Sequence, residues 1–233
     1  MRKTVLITGA NQGLGRAFSK AFSEHGYYVY AGSYLQDAEL FGPGERVYGD
    51  ISDEAAVRQM FSGIGRLDVL INNARFDPSK REEGISDGEW WDKNLDVSLK
   101  GTYLCTLEAL KIMKRQQSGA ILNVSSIRGI IPNEPLRIPY GAAKAGQISL
   151  TRSFAKEAGA YNVRVNALLP GAVATENLMS RITPERHEEV CREIALHRIG
   201  TMEEMAHAAL FLAENTYVTG ACLNCSGGLL LDA

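Results

Sequence analysis

The chain has 233 residues, with 25 basic and 27 acidic side chains, a formal net charge of −2, 45% hydrophobic content and 23 glycines. That length and composition suit one compact α/β domain rich in tight turns and exclude a disordered chain. The near-balanced charge gives no electrostatic basis for a nucleic-acid or anionic-membrane partner, and no apolar run approaches the ~20 residues needed to cross a bilayer.

Residues 4–8 form a β-rich apolar run that enters Thr8-Gly9-Ala10-Asn11-Gln12-Gly13-Leu14-Gly15. The opening residues lack the long apolar region and cleavage site of a secretory leader. A helix is predicted over 16–24, with Ala17, Phe18, Ala21 and Phe22 on its apolar face and His25-Gly26 stopping it. A second strand over 28–32 completes a strand, glycine turn, helix and strand in about thirty residues, the context a dinucleotide site requires. The glycines let the backbone turn tightly and approach a pyrophosphate, and the helix N-terminus offers free N–H groups and a positive dipole end.

Residues 33–45 are turn-rich and leave little room for a full helix. A third strand is predicted over 46–49, ending at Asp50-Ile51, and Ser52-Asp53-Glu54 caps another helix. Residues 69–72 read as a fourth strand, apolar on both faces as in a buried parallel sheet. After a loop, Ser86-Asp87-Gly88-Glu89 is a capping box that opens one long helix to about residue 115. A fifth strand over 120–125, a loop over 126–139 and a helix from Tyr140 to about residue 160 follow. The sixth strand covers 163–169 and Pro170-Gly171 breaks it; an amphipathic stretch over 181–194, a helix over 202–213 and a strand over 221–225 complete the chain. Strands alternate with helices throughout. The expected fold is therefore a single doubly wound, Rossmann-type α/β domain over 1–233, with a mainly parallel seven-stranded sheet and helices on both faces. Ligands then bind at the carboxyl edge of the strands, where Gly9–Gly15, Asp50, Asn72–Ala74, Ser125-Ser126 and Pro170-Gly171 fall.

Tyr140 and Lys144 stand four residues apart, one above the other on a helix face, with only small residues between them. An ammonium held beside a phenol favours the phenolate and brings a group with a reference pKa near ~10 closer to acid–base use. Cys222 and Cys225 form a C-x-x-C without a second pair, and on a strand they point to opposite faces. With Cys105 and Cys191 they read as ordinary buried thiols in a reducing, cytoplasmic setting. His187, His197 and His207 show no metal-ligand spacing, so no metal site is expected.

Taken together, these motifs resemble the short-chain dehydrogenase/reductase family, in particular its branch similar to 3-oxoacyl-carrier-protein reductases. The resemblance covers nearly the whole chain: Thr8-Gly9-x-x-x-Gly13-x-Gly15, Asn72-Asn73-Ala74-Arg75, Asn123-Val124-Ser125-Ser126, Tyr140-x-x-x-Lys144, Pro170-Gly171-x-Val173-x-Thr175, Arg198-x-Gly200, Thr219-Gly220 and Gly227-Gly228. It implies an NAD(P)-dependent oxidoreductase that interconverts a carbonyl and a secondary alcohol. Tyr140 would be the general acid or base, Lys144 would hold the nicotinamide ribose and lower the Tyr140 pKa, and Ser126 would bond the substrate oxygen. Ser126 equally suits a turn cap. The implied cofactor-binding residues are Gly9, Gln12, Gly13, Leu14, Gly15, Ser33, Asp50, Ile51, Asn73, Ala74, Tyr140, Lys144, Pro170, Gly171, Val173 and Thr175.

The chain departs from the family pattern at four places. Ser98 stands where the family has an Asn thought to support a water-linked proton path from the lysine. Arg75 replaces a Gly, a strained choice if that Gly needed positive φ. The segment between strands two and three is short, and Ser226 precedes Gly227-Gly228 where an Asp is common. The cofactor is NAD or NADP. Gly32-Ser33-Tyr34 offers neither the acid that bonds ribose hydroxyls nor a base for a phosphate, Asp37 and Glu39 follow, and the balance leans to NAD because no Arg or Lys is placed to pair a phosphate. Substrate choice should lie in residues 75–88, 127–139 (with Arg128 and Arg137) and 172–200. Leu178, Met179, Ile182, Ile194 and Leu196 supply that last segment as an apolar lid. Homodimers or homotetramers are implied by the family, with Ala142, Ala145, Gly146 and Ala155 permitting close helix approach. A dinucleotide-binding sensor or scaffold with little turnover is the alternative reading, kept open by Ser98 and Arg75; a third is an epimerase-type relative using the same Tyr and Lys.

Overall fold

A computed structural model describes residues 2–34, 38–77 and 81–231. Its sheet has seven strands: β1 (Thr4–Thr8), β2 (Tyr28–Ser33), β3 (Gly44–Tyr48), β4 (Val69–Asn72), β5 (Gly119–Val124), β6 (Val163–Pro170) and β7 (Cys222–Cys225). The order is β3-β2-β1-β4-β5-β6-β7 and every pairing is parallel. The order reverses between β1 and β4, so loops leaving those two strands diverge and open a crevice at their carboxyl ends.

The helices are α1 (Gly13–Glu24), α2 (Glu54–Phe61), α3 (Asp87–Leu95), α4 (Gly101–Gln116), α5 (Ile138–Ala158), α6 (Glu176–Met179), α7 (Pro184–Glu193) and α8 (Met202–Glu214). Strand alternation sorts the core into two layers. Val5, Ile7, Ile71 and Leu122 face α1 and α8, where they meet Phe18, Phe22, Ala209 and Leu210. Leu6, Leu70, Ile121 and Val165 face α2, α4 and α5, where they meet Val57, Met60, Met113 and Phe154. A strand buried on both faces must be apolar throughout, which is why β1 and β4 read as continuous apolar runs.

Strand bounds fall within about two residues of the sequence-based expectation, and α5 starts two residues early, at Ile138; three further details differ. Helix α1 starts at Gly13, three residues before the predicted start and inside the glycine turn. The expected single helix to residue 115 is interrupted by one π-helical turn, Asp96–Lys100, between α3 and α4. The buried Ser98 sits at the centre of that turn. The turn precedes Gly101, where an added Cβ would come within 2.6 Å of the Ile51 side chain, so the helix there packs closely on the segment after β3. Finally, Cys105 is buried, but Cys191, Cys222 and Cys225 are only partly so. Cys222 and Cys225 lie on the last strand at one edge of the sheet, where only one neighbouring strand covers them. No helix among the described residues is long and apolar enough to cross a membrane.

Candidate active site

The crevice is a cleft of about 1590 Å³ above the carboxyl ends of β1, β2, β4, β5 and β6. Its floor is set by a polar network inside the sheet. Thr8 Oγ1 accepts from the backbone N–H of both Asn73 and Ala74 at 3.0 Å, and Asn73 Nδ2 donates to the carbonyls of Thr8 and Gly9 at 3.0 Å. These bonds tie the glycine turn to the end of β4. One layer lower, Asn72 Nδ2 donates to Asn123 Oδ1 at 2.9 Å and Thr106 Oγ1 at 3.1 Å, and Asn123 Nδ2 donates to Thr151 Oγ1 at 2.9 Å. These buried bonds fix the relative positions of β4, β5, α4 and α5, although Asn72 Oδ1 has no hydrogen-bond partner of its own among the described residues.

Of the residues expected to hold a cofactor, Gly9, Gln12, Gly13, Leu14, Ser33, Asp50, Ile51, Asn73 and Ala74 line one side of this cleft. Pro170, Gly171, Val173 and Thr175 line it from the end of β6. Gly15 does not line it. Gly15 is buried behind the turn, where a Cβ would meet the Gly9 carbonyl oxygen at 2.0 Å and Asn73 Nδ2 at 2.6 Å, so its part is close helix–strand packing. Gly9 has φ of +66°, and a Cβ there would come within 2.9 Å of Ala74 Cα.

The N-terminus of α1 carries no side-chain cap and no acidic residue in its first turn. By contrast α2, α3, α6, α7 and α8 are capped by Asp53, Ser86, Thr175, Thr183 and Thr201. Helix N–H groups left without partners at a cleft wall, on a turn whose glycines keep side chains away, form a cradle for an anion. The residues present therefore fit the pyrophosphate of a dinucleotide.

The residues expected to carry the chemistry stand on the opposite wall. Ser126, Tyr140 and Lys144 all line the cleft. Ser126 follows β5, and its Oγ accepts from the Arg128 N–H at 3.1 Å, so the hydroxyl caps the turn Ile127–Gly129 and keeps its own proton to donate. Ser125 Oγ donates to the Lys144 carbonyl at 2.9 Å, docking α5 onto the end of β5. Lys144 is 1% exposed, and its Nζ lies 5.5 Å from the centroid of the Tyr140 ring. The ammonium donates to the Val124 carbonyl at 2.7 Å and to Gln147 Oε1 at 3.0 Å. An ammonium has three donors, so one remains directed to the cleft. Burial, reinforced by the charge of Arg75, pushes Lys144 down to about 7.

Arg75 is not among the positive-φ residues, so the replacement of the family's Gly produces no backbone strain. Its guanidinium lies at the cleft edge, 3.6 Å from Asp77 Oδ1. Asp77 also accepts from Asn177 Nδ2 at 3.0 Å and stands 4.0 Å from Arg181. It thereby fastens the segment containing α6 to the loop after β4, across the cleft. The same segment is held at its base by Gly200, which bridges Val173 and exchanges backbone bonds with Ala172 and Ala174 at 3.0 and 2.9 Å. Arg128 and Arg137 also border the cleft, whereas Asp37 lies outside the described residues. Glu39 holds Arg16 Nη2 and Nε at 2.7 and 3.1 Å.

Sequence reasoning did not single out Asp77 or Gln147. Asp77 lies in a loop whose pairing with residue 177 leaves no local trace. Gln147 could have been found: it is three residues from Lys144 and therefore on the same helix face. Among the described residues no cluster of three or more His, Cys, Asp or Glu is placed to hold a metal ion.

A family model described as enoyl-(acyl carrier protein) reductase matches residues 9–230. The chain is 36% identical to a 3-oxoacyl-acyl-carrier-protein reductase of Thermotoga maritima over 98% of each chain. It is 33% identical to one of Staphylococcus aureus over 99% of each. Among solved structures, ElxO with NADP bound has a TM-score of 0.87 and 30% identity, over 98% of this chain and 99% of that one.

Proposed function

The chain belongs to the short-chain dehydrogenase/reductase family and is an NAD(P)-dependent oxidoreductase; we propose that it interconverts a carbonyl and a secondary alcohol, with Tyr140 as general acid and base. The observation that carries this reading is the convergence of Ser126, Tyr140 and Lys144 on the cleft that also holds the uncapped N-terminus of α1. A nicotinamide dinucleotide, when bound, supplies or takes the hydride. The glycine turn and the α1 N-terminus bind its pyrophosphate, and Pro170, Gly171, Val173 and Thr175 border its nicotinamide. During reduction Ser126 Oγ–H donates to the substrate oxygen, Tyr140 Oη–H gives that oxygen its proton, and Lys144 holds positive charge beside the phenol and binds ribose hydroxyls with its remaining donor. Oxidation runs the same proton transfer in reverse.

NAD is the cofactor we favour. Arg16 and Ser33 line the same cleft, but Glu39 occupies the Arg16 guanidinium, so a 2′-phosphate would have to displace a carboxylate. Resemblance to the 3-oxoacyl-carrier-protein reductases makes a 3-oxoacyl thioester the first substrate to try. A cytoplasmic location and a homodimer or homotetramer built on α4 and α5 belong to the same reading. Ala142 and Ala145 are exposed on α5 and Tyr103 on α4, whereas Ala155 is buried and Gly146 packs on Leu99 within one chain. Light scattering on the purified chain tests the assembly.

The decisive experiment titrates NADH and NADPH into the wild type and Tyr140→Phe, then measures turnover on a carbonyl panel that includes a 3-oxoacyl thioester. Removal of a general acid should cost roughly 10²–10⁴-fold in kcat with cofactor affinity kept. Equal turnover by Tyr140→Phe would overturn the assignment, and tighter binding of NADPH would overturn the cofactor preference.

A further inference from the structure

Beneath the catalytic wall lies a closed set of buried hydrogen bonds that the proton transfer above does not use. Gln147 is fully buried on α5, one turn beyond Lys144. Its Oε1 accepts from Lys144 Nζ at 3.0 Å. Its Nε2 donates to the Ser98 carbonyl at 2.6 Å and to Thr102 Oγ1 at 2.7 Å. Thr102 Oγ1 in turn donates to the same Ser98 carbonyl at 3.0 Å. The orientation of the amide is chemically fixed: a carbonyl can only accept, so the NH₂ faces Ser98, and an ammonium can only donate, so the oxygen faces Lys144. Both amide hydrogens are thus engaged. Ser98 is the centre of the π turn, and its Oγ accepts from the Phe76 N–H at 3.2 Å on the loop that carries Arg75.

We propose that Gln147 is a positioning residue for Lys144, its amide bonding the ammonium directly to the Ser98 carbonyl in the π turn and so fixing the lysine by protein alone. The inference rests on the catalytic reading of Lys144. It answers the question raised by Ser98 in the place of the family's Asn: here the backbone carbonyl of that position is bound by a side chain. An amide holds a proton donor and an acceptor but does not exchange them at neutral pH, so this link orients Lys144 without carrying protons. Proton exchange at Tyr140 therefore runs on the cleft side, through the one Lys144 donor that Val124 and Gln147 leave unengaged. The charged or titratable groups that face Lys144 among the described residues are Arg75, from the loop after β4, and Tyr140, on α5 itself.

The test uses Gln147→Leu and Gln147→Glu in the full chain, beside Tyr140→Phe, with thermal melting, NADH affinity by fluorescence and the pH profile of kcat. Gln147→Leu should weaken NADH binding and lower kcat by about tenfold or more, the scale of one lost hydrogen bond to a charged group. Gln147→Glu keeps the side-chain volume but sets a carboxylate against the ammonium, which holds the Lys144 proton more firmly. Its pH profile should move upward by about one unit or more. It decides the matter even where Gln147→Leu does not fold. A role in packing alone predicts lower melting temperatures with unchanged pH profile and NADH affinity, and that result overturns the proposal. Where Tyr140→Phe keeps full turnover, the catalytic reading itself fails. Where Tyr140→Phe is inactive and the Gln147 variants keep wild-type profiles, only the positioning role fails.

Discussion

The two sides of the cleft are built by different means. The dinucleotide side presents the backbone of the glycine turn, braced from behind by part-buried bonds from the Thr8 hydroxyl and the Asn73 amide between β1 and β4. The other side, the proposed substrate side, is made of side chains on exposed segments, with Asp77 linking Arg75, Asn177 and Arg181 at 3.6, 3.0 and 4.0 Å. A backbone cradle tolerates no added atoms, and here it keeps its shape through the side chains of Thr8 and Asn73 that brace it. A wall of surface ion pairs tolerates substitution and can open, since exposed pairs are worth roughly 0–1 kcal/mol. One side is suited to an invariant ligand and the other to a ligand that must enter and leave.

Gly15→Ala breaks this comparison most severely. Its methyl would sit 2.0 Å from the Gly9 carbonyl oxygen, a backbone atom with no room to move. The expected loss is about 3 kcal/mol or more in stability together with cofactor affinity, read by denaturant melts and NADH titration. If Gly15→Ala binds NADH as the wild type does, the dinucleotide side is softer than its bonding indicates.

Lys144, on the wall with Ser126 and Tyr140, gives a pH signature. Its folded value, about 7, is below that of the unfolded chain, ~10.4. Between those values the unfolded chain binds the additional proton, so stability rises with pH across that window, and the burial penalty is present in full below about 7. The slope should approach ~1.4 kcal/mol per pH unit at most and be absent in Lys144→Met. Comparing the two proteins removes the opposing contributions of Tyr27, Tyr30 and Cys105, which burial pushes upward. Parallel stability curves from about pH 7 to 9 would show that the ammonium is not desolvated as the structure has it.

Asp77→Ala gives the smallest effect and sharpens the contrast. Releasing the α6 segment from the loop after β4 should raise substrate KM by about fivefold or less, the scale of an exposed pair. NADH affinity and melting temperature should stay unchanged. A parallel loss of NADH affinity would mean that the segment also closes over the cofactor.

Local features made the fold legible. The apolar runs of β1 and β4, the glycine turn, the capping box at Ser86 and the four-residue spacing of Tyr140 and Lys144 each depend on neighbours in the chain, and each has a short-range cause. The match of several ordered motifs then pointed to the site. Nothing local marked the π turn at Asp96–Lys100, whose neighbour Gly101 is pressed on Ile51, fifty residues away in sequence. The position of Arg75 was equally hidden, because whether a side chain replacing Gly is strained depends on the φ that the surrounding loop imposes.

Sequence alone thus determined which residue types stand at the carboxyl edge of a parallel sheet, since strand and helix periodicity and glycine placement are set within a few residues. Tertiary structure decided how those residues are served. The desolvation of Lys144, the amide of Gln147 between it and Ser98, and the grip of Asp77 on the α6 segment all come from chain segments far apart in sequence. Hydrogen bonds and burial depend on which groups the packed core brings within about 3 Å, and that distance is set by the whole fold rather than by any one stretch of chain.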